Sequence, residues 1–523
     1  MMKKLLLFMF LCNAVINLQA QGWGQTQKIV PSDRSLGDHF GYALDISDNY
    51  MVVGAKWVDL TNNNMGSAYV YKKDVNGNWI EHQKLTAPDK RSFDQFGYSV
   101  AIDGDYLIVG AITQAYDATN SNFISGAGAA YVYAKDTNDN WNFVQKLVAS
   151  QRETTRQFGR CVAISGNYAI VGLDKEDFDA AGENEIQNAG AAYIYERNNS
   201  GAWSEVQKIV ASERSIFDYF GYNGLSINGN YAVIGAMNED EDENGSNTIS
   251  NAGAAYIFER DTNGTWSEIQ KIVDSDREQG AYFGWSIALD GDHLVVGSNQ
   301  DNEFRGAVYV FEKCGNDIWN QVEKLTASNS LNGDQFGYDL DIDGNRIIIG
   351  ARYRDIGSPG DDGAAYIFEK QSGNWEETAF IYDMFNQTSE YFGYAVAISG
   401  DFALAGAYQD GEDENEENDL GASGAAFIFN FNEPNTLSVV ENDFKSTIKA
   451  FPNPNQGNFT INLGKTYKLI TLSVTNSLGQ EIQKHEVQSS NKLVLTISAD
   501  SGIYFVNVST DEGKSTVLKI IKQ

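Results

Sequence analysis

Apolar and polar residues alternate along most of the chain, in units that each contain four apolar runs. In FGYSVAIDGDYLIVGA, from Phe96 to Ala111, two runs flank the turn DGD. A third run reads GAAYVY, and a polar turn then leads to a fourth run that begins at a Trp and ends in QKL or QKI. Strands have a two-residue period and are bounded by Gly, Asn and Asp turns. Each unit therefore predicts four β-strands.

The unit occurs seven times. Its Phe-Gly pair recurs at Phe40, Phe96, Phe158, Phe220, Phe283, Phe336 and Phe392. Each of these Phe residues stands 17 residues after a Trp, whereas the segment between the second and third strands varies in length. A constant scaffold with one variable loop per unit is typical of structural repeats such as propeller blades.

The repeat starts and ends in mid-unit. A Trp strand, WGQTQKIV from Trp23 to Val30, precedes the first Phe-Gly, and the last unit stops at GAAFIF, Gly424 to Phe429. If the array closes into a ring, the first strand completes the last unit and few strand edges stay exposed. The sequence therefore predicts an all-β fold, a seven-bladed β-propeller over residues 21–431 that is closed by its N-terminal strand in blade seven.

The two ends of the chain differ from the repeat. Residues 1–20 combine Lys3 and Lys4 with an apolar run and a small residue, Ala20, which predicts a cleaved signal peptide. After a linker over residues 432–446, short alternating strands in residues 447–523 predict a small C-terminal β-sandwich. No later segment has about 18 uninterrupted apolar residues, so we expect an exported protein with no transmembrane segment in the mature chain.

Composition narrows the classes of partner. The chain carries 71 Asp and Glu against 38 Lys and Arg, a net charge of -33. Such a surface repels phosphate backbones and anionic lipids, so we expect no nucleic-acid partner. Only Cys161 and Cys314 follow the predicted signal peptide, too few for a disulfide framework. A large buried core must therefore stabilise the fold.

The repeats resemble a known family. FGYSVAIDGDYLIVGA and its relatives, from Trp23 to Phe431, look like the FG-GAP repeats of integrin α-subunit heads and of many bacterial surface proteins. Integrin-type repeats often carry a calcium loop between the first two strands, but that connection is a short turn here (ISGNY, INGNY). The resemblance therefore implies a propeller and no calcium at those positions.

The C-terminal residues closely resemble the sorting domain of type IX secretion cargo from Bacteroidota. The matching elements are Phe451-Pro452-Asn453-Pro454, Leu478-Gly479, Gly502-Ile503-Tyr504 and a basic end with Lys519 and Lys522. This resemblance implies the type IX secretion machinery as a partner, and a location outside the cell or on the outer-membrane surface.

The variable loops carry candidate metal ligands. Between the Gly that ends the second strand and the Gly that begins the third, the loop spans 18 residues in blades two, three, four and seven. Blade four has a D-x-D-x-N-G pattern, whose alternate oxygens suit Ca²⁺, and blades three and seven have partial copies. The candidate ligands are Asp240, Asp242, Asn244, Asp177, Asp179 and Asp413. Because the acidic twelfth ligand of an EF-hand is missing, solvated acidic loops are the alternative to calcium.

Two further patterns concern basic residues and departures from the repeat. Basic residues recur six positions before a Phe-Gly pair, at Arg34, Lys90, Arg152, Arg214 and Arg277. This ring could capture an anionic ligand, or each cation could pair with a neighbouring carboxylate and lock adjacent blades. Departures from the repeat occur at Arg160, Trp285 and Trp57, where either ligand contact or local repacking is the interpretation.

Catalysis finds little support in the residues. The 4 His occupy different phases of the chain, and no zinc spacing, G-x-S-x-G motif or phosphate-binding loop is present. We therefore expect no enzyme, but a binding or adhesion protein whose long-loop face, over blades two to four, binds a glycan or a surface or matrix protein. An extracellular enzyme acting on polysaccharide and a structural surface-layer component are the alternatives.

Overall fold

The computed structural model describes residues 22–59, 64–315, 317–356, 360–383, 389–415, 418–431, 449–451, 457–476, 481–499, 502–510 and 515–522. The predicted signal peptide and linker lie outside these ranges. The chain divides into two compact units between Asn432 and Glu433.

The first unit contains seven four-stranded antiparallel sheets in its described residues. The chain enters through β1 (Trp23–Ile29). Blade one has β2 (Phe40–Ser47), β3 (Tyr50–Ala55), β4 (Ser67–Lys73) and β5 (Trp79–Leu85). Blade two has β6 (Phe96–Asp103), β7 (Tyr106–Ala111), β8 (Ala129–Lys135) and β9 (Trp141–Leu147). Blade three has β10 (Val162–Ser165), β11 (Tyr168–Leu173), β12 (Ala191–Arg197) and β13 (Trp203–Ile209).

The remaining blades follow the same order. Blade four has β14 (Leu225–Asn228), β15 (Tyr231–Ala236), β16 (Ala254–Arg260) and β17 (Trp266–Ile272). Blade five has β18 (Phe283–Asp290), β19 (His293–Ser298), the one-turn segment α1 (Asp301–Phe304), β20 (Ala307–Cys314) and β21 (Ile318–Leu325). Blade six has β22 (Phe336–Asp343), β23 (Arg346–Ala351), β24 (Ala364–Gln371) and β25 (Asn374–Ile381). Blade seven has β26 (Ala395–Ser399), β27 (Phe402–Ala407) and β28 (Ala425–Phe431).

The N-terminal strand closes the ring, as the sequence predicted. β1 pairs antiparallel with β28, from Trp23 opposite Phe431 to Ile29 opposite Ala426, and becomes the fourth strand of blade seven. The Trp23 side chain is buried in a cluster that includes Ile348 and Ile367 of blade six. The two ends of the repeat therefore stabilise one another through both hydrogen bonds and apolar packing.

The Phe-Gly and Gly-Ala motifs lie where neighbouring blades meet. Gly128, which begins the third strand of blade two, pairs with Phe158 of blade three. Its φ is +85°, and a Cβ there would lie 2.1 Å from the Phe158 carbonyl oxygen. A side chain is therefore excluded both by the backbone conformation and by the close approach of the next blade.

Polar side chains connect the exposed edges of adjacent blades. At the outer edge, the Gln83 amide donates to the Trp141 carbonyl and accepts from the Trp141 N–H, both at 2.8 Å. At the inner edge, Asp45 Oδ2 accepts from Ile102 N at 2.7 Å. These bonds satisfy backbone groups that no strand ladder reaches.

The described part of the second unit contains five antiparallel strands. They are β29 (Lys449–Phe451), β30 (Asn458–Asn476), β31 (Glu481–Thr496), β32 (Gly502–Thr510) and β33 (Ser515–Lys522). β30 pairs with β31 along its length, and on its other side with β29 and then β32. The register of β30 with β31 shifts between Asn462 and Tyr467, which divides the long strand into two paired segments. In the part of the chain that the structure describes, no helix is long and apolar enough to cross a bilayer.

Candidate functional site

The long loops rest on the connections between blades. Because each blade is antiparallel, the loops between its second and third strands lie at the same end as the connection into the next blade. In blade two, Ser125 and Gly126 accept hydrogen bonds from the backbone of Thr155 and Gln157, which lie in the connection to blade three. Each loop is therefore held against the following blade.

The predicted basic residues hold these loops through backbone carbonyls. The two Nη atoms of Arg214 donate to the Asn184 and Asp177 oxygens of the blade-three loop, at 3.0 and 2.8 Å. Arg34, Arg152 and Arg277 make the same two-pronged contact with the loops of blades seven, two and four. Lys90 instead is exposed and follows the shorter loop of blade one. An Arg at this position thus accompanies each 18-residue loop.

The second Asp of each long loop organises a turn in its own loop. Asp242 Oδ1 accepts hydrogen bonds from the backbone N–H groups of Asn244 and Ser246, at 2.9 and 3.0 Å. Asp179 does the same for Ala181 and Glu183. Burial alone would raise the pKa of Asp242, but these hydrogen bonds lower it to about 2. The D-x-D-x-N-G pattern therefore has a structural role in addition to any role in metal binding.

The other predicted ligands also contact the loop or its neighbours. Asp240 Oδ1 accepts from Asn251 N at 2.7 Å, and Asp177 Oδ1 accepts from Asn188 N at 2.6 Å. In both loops the Asn that donates its N–H stands eleven residues after the Asp that accepts it, so the two contacts are equivalent.

The remaining two predicted ligands, Asn244 and Asp413, lie in different surroundings. The Asn244 side chain donates to Glu243 at 3.2 Å, and Asp413 lies 3.8 Å from Arg34. The six predicted ligands thus lie in three separate loops, and calcium stays a prediction.

A buried carboxylate group lies elsewhere on this face. Oxygens of Asp383, Glu390 and Asp410 lie within 4.8 Å of one another, close enough to share a metal ion. Lys28 Nζ lies 2.9 Å from Asp410, and burial raises the pKa of Asp410 to about 7. The sequence did not reveal this group, because Asp383 and Glu390 come from the connection into blade seven and Asp410 from the loop of that blade, in no recognisable motif.

A ring of large side chains surrounds the central axis at the long-loop end. Each blade contributes the residue after its Phe-Gly pair, and the contacting rings lie 4.9 to 5.7 Å apart. The members of this channel ring are Tyr42, Tyr98, Arg160, Tyr222, Trp285, Tyr338 and Tyr394. A cavity of about 380 Å³ lies among them. Two of the departures noted in the sequence, Arg160 and Trp285, are therefore channel-ring members.

Cations lie over the faces of these aromatic rings. Lys56 Nζ is 3.3 Å from the centre of the Tyr42 ring. The guanidinium carbon of Arg160 lies 3.7 Å from the Tyr222 centre, and that of Arg352 lies 3.8 Å from the Tyr338 centre. Such cation–π contacts stabilise a charge that has left bulk water.

The opposite end of the axis is acidic. A second cavity, of about 430 Å³, has seven Asp residues in its wall: Asp45, Asp48, Asp103, Asp290, Asp339, Asp341 and Asp343. Asp339 also lines the first cavity. Burial raises the pKa values of Asp45 and Asp339 to about 7. The axis therefore has a cationic and aromatic mouth on the long-loop face and an acidic mouth on the other.

Comparison with known families identifies the repeat. The family described as FG-GAP repeat matches residues 23–71, 79–133, 141–195, 203–258, 266–311, 319–368 and 375–429. These segments cover more than half of the chain. The chain belongs to the FG-GAP repeat family. Each match begins at a Trp strand, so it joins the outer strand of one FG-GAP blade to the first three strands of the next.

The second unit has its own match, to the secretion system C-terminal sorting domain, over residues 449–523. This FG-GAP protein is therefore directed to the cell surface or the exterior by the type IX machinery. No curated protein matches the chain.

Some residues of the channel mouth were missed by sequence reasoning. Lys56 and Arg352 stand two positions after the Gly that ends the second strand, where blades two, four and five of the FG-GAP repeat have Ile112, Met237 and Asn299. An alignment of the seven units at this Gly would have revealed the two cations. Their position over the channel ring, however, follows only from the curvature of the closed ring.

Proposed function

We propose that the protein is a secreted or cell-surface binding or adhesion protein, whose long-loop face binds a glycan or a surface or matrix protein. The observation that carries this proposal is the Arg clamp, the pair of hydrogen bonds that Arg34, Arg152, Arg214 or Arg277 donates to backbone carbonyls of an 18-residue loop. The clamp holds four loops of different sequence in the same way. A rigid scaffold that fixes variable loops suits binding, because less conformational entropy is lost when the ligand is bound.

The sector over blades two to four is the favoured surface. Three consecutive long loops lie there, and the exposed loop side chains include Asn120, Glu183 and Glu243. Neighbouring loops of equal length form a continuous surface, whereas the fourth long loop is separated from them by blades with shorter loops. The ligand should therefore contact several blades at once.

The experiment is saturable binding of the mature full-length protein to a panel of polysaccharides and extracellular-matrix proteins, with product release from the polysaccharides followed in parallel. Binding without product release supports the proposal, and release of reducing sugar would instead identify a polysaccharide-acting enzyme. The double variant Arg214→Gln and Arg277→Gln releases two loops of the sector, and it should weaken binding. Unchanged binding by this variant would argue against the long loops.

Calcium dependence belongs to this proposal as a separate test. If Ca²⁺ binds the blade-four loop, millimolar Ca²⁺ should raise the unfolding midpoint relative to excess EDTA. Asp240→Ala removes one candidate ligand and only one loop hydrogen bond, whereas Ser246→Ala weakens the Asp242 turn without removing a candidate ligand. The calcium response should disappear in Asp240→Ala and persist in Ser246→Ala. A response that persists in both variants would exclude this loop as the site.

A further inference from the structure

The mouth of the axial channel has features that the long loops do not explain. Six of the seven side chains of the channel ring are partly exposed and Tyr338 is buried, and all seven line the 380 Å³ cavity. That volume lies within the range of roughly 300–1,000 Å³ for small-molecule pockets. Further aromatic residues surround the entrance, where His39 lies 4.3 Å from Trp57 and Tyr391 lies 5.6 Å from Tyr408, between ring centres.

The three cations at this mouth lack acidic partners at contact distance. In the described part of the chain, no carboxylate oxygen lies within 4 Å of Lys56, Arg160 or Arg352. Arg352 Nε donates to Gln335 at 2.9 Å, and Arg160 Nε is buried with no acceptor among the described residues. Positive charge therefore collects here on a protein whose net charge is -33.

Two acidic residues lie near the cations. Asp339 lines the same cavity, where its Oδ2 accepts a hydrogen bond from Val396 N and burial raises its pKa to about 7. Asp174 lies behind the cations. Asp174 is fully buried, its oxygens accept no hydrogen bond among the described residues, and burial raises its pKa to about 6, although Arg160 favours its charged form. Because Asp174 cannot be reached from solvent, a ligand meets the cations first. The three basic residues outnumber these two acidic residues, and burial favours the neutral form of each acid.

We propose that the channel mouth binds a carboxylate-bearing saccharide, a hexuronate unit of an acidic glycan. This inference rests on the proposed binding function and names a ligand class for it. The cations at Lys56, Arg160 and Arg352 receive the carboxylate, because charge-assisted hydrogen bonds are strongest where water is largely excluded. The aromatic side chains of the channel ring and entrance receive the apolar C–H face of the sugar ring.

The aromatic surface favours a saccharide over an acidic peptide. A carboxylate of Asp or Glu would use the cations, but its short methylene chain would leave most of the aromatic surface uncovered. A pyranose ring presents a carboxylate at its edge and a flat C–H face beside it, so that both parts of the mouth are used. The opposite mouth, with its seven Asp residues, would repel the same ligand.

The protonation of Lys56 gives an independent readout. Burial and the nearby charge of Arg160 lower the pKa of Lys56 to about 7. A bound carboxylate would favour the charged form, so binding near pH 7.5 should take up protons. Titration calorimetry in buffers of different ionisation enthalpy measures this uptake, and Lys56→Gln should abolish it.

The test is calorimetric titration of the mature full-length protein with uronate oligosaccharides: tetragalacturonate, a mannuronate tetramer and a hyaluronan tetrasaccharide. We expect at least one to bind, and its neutral methyl ester to bind at least about tenfold more weakly. Arg160→Tyr places in blade three the residue that five other blades have, so it should fold, and it should lower affinity about tenfold, as should Arg352→Gln. Lys73→Gln, which removes one charge at the opposite end of blade one, should leave affinity unchanged.

Three results would overturn the inference. They are no binding of any uronate, equal binding of the acid and its ester, and binding of a pentaglutamate peptide in place of the saccharides. The proposed function is judged separately by the broader panel. If another ligand binds there and Arg160→Tyr does not affect it, only the channel inference fails; if nothing in either panel binds, both fail.

Discussion

Single residues in this fold act mostly at contacts between blades. The Gly of each third strand has a positive φ and meets the Phe of the next blade, while the Gln of each QK pair holds the next Trp strand. The sequence marks these positions by repetition alone, because equivalent residues in a ring face equivalent neighbours. It does not say what each one contacts.

Replacing Gly128 with Ala should destabilise the propeller more than replacing Gly104. Both have positive φ, +85° and +55°, so an Ala at either position carries backbone strain of roughly 1–2 kcal/mol. Only at Gly128 would the new Cβ also overlap Phe158, which adds about 1–3 kcal/mol. Urea unfolding of the two variants measures the difference. Equal losses would show that blade contact contributes nothing at this site.

The Asp45→Asn variant should change how stability depends on pH. Burial, opposed by hydrogen bonds from Ile102 and Ile46, raises the pKa of Asp45 to about 7, whereas an unfolded Asp titrates near 3.9. Between these values the folded state binds more protons, so the contribution of Asp45 to stability falls as pH rises from about 4 to 7. The free energy of unfolding of the variant, relative to the wild type, should therefore increase over this window.

Asp89→Asn is the matched control with the opposite sign. Burial of Asp89 is outweighed by its hydrogen bonds with Lys146 and Tyr131, which lower its pKa below the ordinary value. Its stabilising contribution is present above about pH 4 and is lost in acid. Urea unfolding from pH 3 to 7.5 should show the two differences changing in opposite directions, and parallel changes would contradict both assignments.

At the scale of elements, loop length and the Arg clamp occur together. Around the closed ring, the connection after each 18-residue loop carries an Arg six positions before the next Phe-Gly pair: Arg152, Arg214, Arg277 or Arg34. After the shorter loops, this position is Lys90, Ser330 or Asn386. This association is visible in the sequence, but the sequence predicted that the basic side chains would bind an anionic ligand or pair with a neighbouring carboxylate. The backbone carbonyls that the guanidinium groups contact could not be inferred from residue types, because every residue has one.

The variant Arg214→Gln should loosen the blade-three loop while leaving the sheets intact. It removes two charge-assisted hydrogen bonds to Asn184 and Asp177, each contributing about 1.5–3 kcal/mol to the order of the loop. Hydrogen exchange of residues 174–190 should accelerate markedly. Lys90→Gln, at the same repeat position but without a clamp, should change no loop. Unchanged exchange in Arg214→Gln would mean that the loop is held by other contacts.

At the scale of the whole molecule, ring closure makes the N-terminal strand part of the core. Trp23 is 4% exposed and Trp203, at the same position in blade three, is 3% exposed. An end strand of an open array would lack one neighbour, and its Trp would be more exposed. The similar burial is the consequence of blade six lying against β1.

Trp23→Ala should therefore cost as much stability as Trp203→Ala, about 3–5 kcal/mol each. Chemical denaturation of the two variants, in the full mature chain, makes the comparison. A loss for Trp23→Ala of less than about 1 kcal/mol, beside a full loss for Trp203→Ala, would show that the ring is open in solution.

The sequence by itself determined the number of blades, their strands and the place of closure, because a repeat of constant spacing allows few arrangements that leave no orphan strand. It also determined the destination of the protein, through local motifs at the C terminus. Only the tertiary structure decided which distant side chains meet. Lys56, Arg160 and Arg352 lie far apart in sequence, and they approach one axis because seven sheets close into a ring.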